Sequence, residues 1–128
     1  MDWKNVKTIA VIGLSDKPER DSYRVAEYLQ EQGFRIIPVN PTKNNILGEE
    51  CYPSLKDIPK DVQVDVVDVF RKSEAVPDIV EETVAFKAPV LWLQEGVVHE
   101  KAAERARQTG IEVIMDKCIM KEHRKDVV

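Results

Sequence analysis

Five short apolar runs, Thr8–Ile12, Arg35–Val39, Val64–Phe70, Val90–Leu93 and Glu112–Met115, recur at intervals of roughly 22 to 29 residues. Each is rich in β-branched side chains, which is how strands buried on both faces read. Between them lie helical patterns. Ser22–Gln32 sets Val25, Tyr28, Leu29 and Gln32 at helical spacing and stops at Gly33. Ser73–Lys87 puts Val76, Ile79, Val80 and Val84 on one face, with Ser73 as the expected N-cap and Pro77 in the opening turn, where a missing N–H does no harm. Glu100–Thr109 offers Ala102, Ala103 and Ala106 as a narrow packing stripe and ends before Gly110. Strands that alternate with crossover helices predict an α/β fold: a single Rossmann-like domain over residues 1–128, with an open five-stranded parallel sheet and helices on both faces. Asn40–Pro59 is expected to be a long, turn-rich connection.

Composition narrows the partners. With 43% hydrophobic and 33% charged residues, 128 residues suffice for a real core without disulfide or metal staples. A net charge of −4 offers no basic field for a nucleic acid or an anionic membrane. The first residues lack the apolar core of a signal peptide, and no apolar stretch approaches the roughly 20 residues that cross a bilayer, so a cytoplasmic location is expected. Cys51 and Cys118 lie far apart and outside any metal-ligand spacing, which makes reduced thiols the default.

In open α/β sheets, ligands sit beyond the carboxyl ends of the strands. Here the first strand breaks at Gly13 and enters Leu-Ser15-Asp16-Lys17-Pro18-Glu-Arg20-Asp-Ser22, a polar loop feeding a helix N-terminus. That arrangement aims backbone N–H groups and a helix dipole at an anion. The Gly-x-Gly-x-x-Gly of a dinucleotide enzyme is absent, and the second strand ends in Asn40 rather than an acid for ribose hydroxyls, which disfavours nicotinamide cofactors.

Taken together, the strand ends Ile12-Gly-Leu-Ser-Asp-Lys-Pro18, Pro38-Val-Asn-Pro41, Val69-Phe-Arg71, Trp92-Leu-Gln-Glu-Gly-Val97 and Met115-Asp-Lys-Cys-Ile-Met-Lys-Glu-His123 resemble a known family over nearly the whole chain. This is the family of small CoA-binding proteins related to the N-terminal CoA-binding domain of the succinyl-CoA synthetase α subunit. The resemblance implies coenzyme A or an acyl-CoA as ligand. It implies the loop Gly13, Ser15, Asp16, Lys17, Pro18, Arg20 and Ser22 around the diphosphate, with Val39, Asn40, Pro41 and Lys43 near the adenosine and its 3′-phosphate. Gln94, Glu95 and Gly96 would then follow the pantetheine arm. Related chains carry proline where this one has Asp21, whose carboxylate must turn away from a diphosphate, for instance to cap the helix.

The phosphates of CoA carry about three to four negative charges, so a site on an acidic protein needs local cations. Lys17, Arg20, Lys43, Arg71 and Lys72 cluster at strand ends, while the acidic residues fall mostly on helices. Phe70 either stacks on adenine or closes the core. Cys118 is expected near the thiol end of the ligand, within reach of a mixed disulfide, although its apolar neighbours also suit an inert core position. Gly13 is expected to leave room for the diphosphate. His99 and His123 read as surface residues, and Trp92 as core. No catalytic constellation converges on these strand ends. The expected function is a non-catalytic or regulatory CoA-binding module, with a protein partner left unspecified. The alternatives are a nicotinamide-dinucleotide redox protein or sensor and a subunit of a split acyl-CoA ligase.

Overall fold

A computed structural model describes residues 1–127. The chain runs through β1 (Thr8–Ile12), α1 (Asp21–Glu31), β2 (Arg35–Val39), a hairpin of β3 (Asn45–Ile46) and β4 (Glu49–Glu50), β5 (Val66–Val69), α2 (Val76–Phe86), β6 (Val90–Leu93), α3 (Glu100–Gln108), β7 (Glu112–Ile114) and α4 (Ile119–Val127). The five apolar runs form one sheet in the order β2-β1-β5-β6-β7, with every pairing parallel. Among the described residues, no helix is long and apolar enough to cross a membrane.

Strand alternation divides the core in two. Ile9, Val11, Val66 and Trp92 face Val25, Ala26 and Leu29 of α1 and Ile119 of α4. Ala10, Ile12, Val67, Val69, Leu91 and Leu93 face Ile79 and Val80 of α2 and Ala102 and Ala106 of α3. Truncating a fully buried leucine such as Leu29 to alanine costs about 2–5 kcal/mol in cores of this kind.

Several boundaries depart from the sequence pattern. Ser73 opens a 3-10 turn over Ser73–Ala75 and does not cap its own helix; its hydroxyl accepts from the Val98 N–H at 3.0 Å, tying the start of α2 to the loop after β6. Lys87 is left-handed (φ 64°) and ends α2 after Phe86. The long connection contains the β3–β4 hairpin, turned by Leu47 and Gly48 at φ 54° and 77°, the positive-φ pair a two-residue hairpin needs. α4 has no counterpart in the expected pattern. It brings His123 inside, where Nδ1 lies 2.7 Å from the Tyr28 hydroxyl and the ring meets Trp3 and Phe34 edge-on. His123 is therefore a core residue and not a surface one. Burial lowers its pKa below the usual value, against the opposing pull of Asp126. His99 is half-buried and caps α3, its ring nitrogen accepting from the Ala102 N–H.

One carboxyl runs against the apolar logic. Asp68 stands in register between Val11 and Trp92, fully buried, and neither of its carboxyl oxygens has a hydrogen-bond partner. Burial holds its pKa well above the usual carboxylate range; the neighbouring Val69 N–H, not close enough in geometry to count as a hydrogen bond, pulls the other way. Above about pH 4 the unfolded chain releases this proton while the folded chain keeps it, so the folded state binds more protons. Stability must then fall with rising pH until the raised pKa is passed, by about 1.4 kcal/mol per pH unit. Asp68→Asn removes that slope. In urea unfolding, the variant should gain more over the parent protein at pH 8 than at pH 5, and an equal difference at both would contradict an uncharged Asp68.

Candidate functional site

The chain leaves β1 for β2 on one side and returns to β5 on the other, so a crevice opens between the carboxyl ends of β1 and β5. Gly13 and Phe70 meet there. A Cβ on Gly13 would lie 2.3 Å from the Phe70 carbonyl oxygen and 3.0 Å from Cδ of Arg71, and the residue adopts φ +85°. The Gly13 N–H donates to the Val39 carbonyl at 2.9 Å, and the Phe70 N–H donates to the Ile12 carbonyl at 2.8 Å. Three strand ends therefore converge on a position that only glycine fits. The space a side chain would fill belongs to the protein's own backbone, which corrects the expectation that it is kept for a diphosphate.

The following loop is wound by serines. The Ser22 hydroxyl accepts from the Ser15 N–H at 3.0 Å, and the Ser15 hydroxyl accepts from the Lys17 N–H at 3.1 Å. Arg20, extended, precedes α1, and no side chain caps the helix, which leaves its first-turn N–H groups without a side-chain acceptor beside the loop. Asp21 does not cap; it pairs with Arg24.

Asn40 binds the two loops together. Its Nδ2 donates to the Leu14 carbonyl at 3.0 Å, and its Oδ1 accepts from both the N–H and the hydroxyl of Thr42. Lys43 pairs with Asp16 at 3.2 Å, with both side chains partly exposed. At the fourth strand end, Gln94 is buried and its Oε1 accepts from the Ile119 N–H, capping α4, while Glu95 pairs with Lys121. Gly96 donates its N–H to Asp116 at 2.8 Å. Cys118 is buried just before α4.

These residues border three cavities. One of about 590 Å³ holds Gly13, Ser15, Asp16, Lys17, Arg20, Ser22, Asn40 and Lys43. A second, about 780 Å³, runs between α1 and α4 past Arg71, Gln94, Glu95 and Cys118, and Phe70 lines both. The third, about 300 Å³, takes in Gly13, Val39, Asn40, Pro41 and Arg71. Pro18 and Gly96 line none of the three. Charge is less one-sided than the sequence suggested. Asp16, Glu19 and Asp21 face the same cradle as Lys17, Arg20 and Lys43, because the loop carries both signs in alternation. The uncapped α1 N-terminus adds the positive end of a helix dipole to this mixture. Glu82 also lines the third cavity, and Tyr28 and Arg124 line the cleft between α1 and α4; all three lie on helices, outside the strand-end signal of the sequence.

Residues 7–124 match the model of a family described as a CoA binding domain. Over 117 residues the chain is 47% identical to the uncharacterised protein YneT of Bacillus subtilis, covering 91% of this chain and 85% of that protein. It is 31% identical over 127 residues to the α subunit of the ADP-forming acetate–CoA ligase II of Pyrococcus furiosus, covering 90% of this chain but 27% of the ligase subunit. Among solved structures, a hypothetical protein from Pyrococcus horikoshii superposes with a TM-score of 0.90 at 38% identity, covering 95% of this chain and 84% of the other.

Two glycines separate conformation from contact. Gly33 also adopts a positive φ, +96°, but a Cβ there would meet nothing. Gly33→Ala should cost about 1 kcal/mol from backbone conformation alone, and Gly13→Ala at least about 1 kcal/mol more, because the Phe70 carbonyl must also move. Urea unfolding of the two variants measures the difference. Equal losses would mean that the approach of β1 to β5 is not the constraint at Gly13.

Proposed function

The chain belongs to the CoA binding domain family, and from there we propose that it binds coenzyme A or an acyl-CoA along the carboxyl edge of its sheet, as a non-catalytic or regulatory module. The observation that carries this reading is that the three cavities are neighbours: Gly13 lines the loop compartment and the smallest cavity, Phe70 the loop compartment and the long cleft, and Arg71 the smallest cavity and the long cleft. A ligand with an aromatic base, a run of phosphates and a long thin arm needs three unlike compartments joined end to end. The loop compartment, with its uncapped helix start, suits the diphosphate. The long cleft past Phe70 suits the pantetheine arm, and Cys118 on its wall supports a thiol or thioester end lying there.

A nicotinamide dinucleotide fits less well. Its ribose would look for an acid after β2, and the residue there is Asn40, whose amide is already committed to Leu14 and Thr42. The likeness to part of the acetate–CoA ligase subunit supports the same ligand class without supplying a reaction.

Lys43 is the residue we assign to the 3′-phosphate. It must exchange Asp16 for the phosphate, an exposed ion pair of small net worth for a stronger charge-assisted contact. Calorimetric titration should show Lys43→Ala weakening CoA by about tenfold while dephospho-CoA changes less than about twofold. Asp16→Asn should tighten CoA by about two- to fivefold, because the lysine starts free. Equal losses for both ligands in Lys43→Ala would remove Lys43 from the 3′-phosphate.

A further inference from the structure

The smallest of the three cavities contains an unused acceptor. Glu82, on α2, lines it, and its Oε1 is shielded from solvent with no hydrogen-bond partner. A carboxylate oxygen withdrawn from water without a partner is disfavoured, and native structures keep such groups where something else completes them. Arg71 lines the same cavity, yet the two residues form no ion pair within 4.0 Å. An acceptor and a cation thus sit apart, each free to meet a different part of one guest.

Besides Asn40 and Ser54, the walls are mostly apolar. Pro41 follows β2, Pro53 and Leu55 follow β4, and Ile79 stands on α2, non-polar surfaces that suit a flat ring. Gly13 and Asn40 line both this cavity and the loop compartment, so a ring seated here would neighbour whatever lies along the phosphates. The guest must therefore be a flat heterocycle that carries a hydrogen-bond donor on the edge facing Glu82 and leads to an anion on the side of Arg71.

We propose that Glu82 selects the base: its free carboxylate oxygen accepts a hydrogen bond from the exocyclic amine of an adenine ring held in this cavity. The inference rests on the CoA reading above and adds to it a residue that distinguishes adenine from purines without the amine. A single free oxygen offers one strong contact, which matches the one amine of adenine. Deleting the amine from the ligand returns the oxygen to its unpartnered state, so discrimination should be worth about tenfold in affinity.

The test uses CoA and its analogue in which the adenine amine is replaced by hydrogen, titrated calorimetrically into the full chain. The parent protein should bind CoA about tenfold more tightly than the analogue. In Glu82→Ala the two should agree within about twofold, the loss falling on CoA. Glu82→Gln, which keeps an acceptor of the same size, should retain part of the preference; it serves also if the alanine variant melts at a lower temperature than the parent. Persistence of the full preference in Glu82→Ala, or equal binding of both ligands by the parent protein, would overturn the role of Glu82 while leaving CoA binding intact. Failure of the parent protein to bind CoA at all would overturn the functional reading and this inference with it.

Discussion

The carboxyl edge of this sheet depends on a side chain that is not there. At Gly13 the backbone of β1 passes so close to the end of β5 that a Cβ would meet the Phe70 carbonyl at 2.3 Å. That approach lets the Gly13 N–H reach Val39 on one side while Ile12 receives Phe70 on the other, and so joins β2, β1 and β5 at their tips. Because the strand order reverses between β1 and β5, the same point is where the sheet opens toward solvent. Two of the three cavities border Gly13, and the third borders Phe70. Structural closeness and the opening of the crevice are two consequences of one contact.

Electrostatics at this edge works by position more than by number. The loop compartment carries as many acids as bases among its lining side chains, and Lys43 is already paired with Asp16. An excess of fixed cations would repel itself in the unbound protein. An exposed ion pair and an uncapped α1 terminus would both be able to turn to the phosphates of the proposed ligand. Asp68 shows the opposite regime: deep in the sheet, with no exchangeable partner, its carboxyl is held by burial well above the usual carboxylate range.

The sheet was readable because its signal is redundant. Strands buried on both faces leave unbroken β-branched runs, and β1, β2 and β6 fall where those runs lie. What was not readable depends on long-range partners. α4 is short and mostly charged, and only its docking of Ile119 and His123 against the α1 side of the sheet makes it a helix with an inside. Ser73 looked like a cap because its own helix follows, but its hydroxyl serves Val98 instead. The hairpin turns on Leu47-Gly48, without the Asn-Gly that announces such turns. Within the candidate site, most of the loop and strand-end residues expected from the sequence line the cavities, while Pro18 and Gly96 do not, and the staple role of Asn40 and the capping role of Gln94 needed the neighbouring loops in place. Asp68 did leave a trace, a lone charge inside Val66-Val-Asp-Val69, where alternation between two buried faces leaves it no exit.

Amide chemical-shift mapping during titration with CoA tests the central claim most directly. Shifts should saturate together at Gly13–Ser22, Asn40–Lys43, Phe70–Lys72 and Gln94–Gly96, the carboxyl edge of the sheet. Lys7, Arg35 and Asp65, which border a separate cavity at the other end of the strands, should stay unmoved. Shifts centred on that opposite edge, or no saturable shifts at millimolar CoA, would contradict a ligand site built on the meeting of β1 and β5.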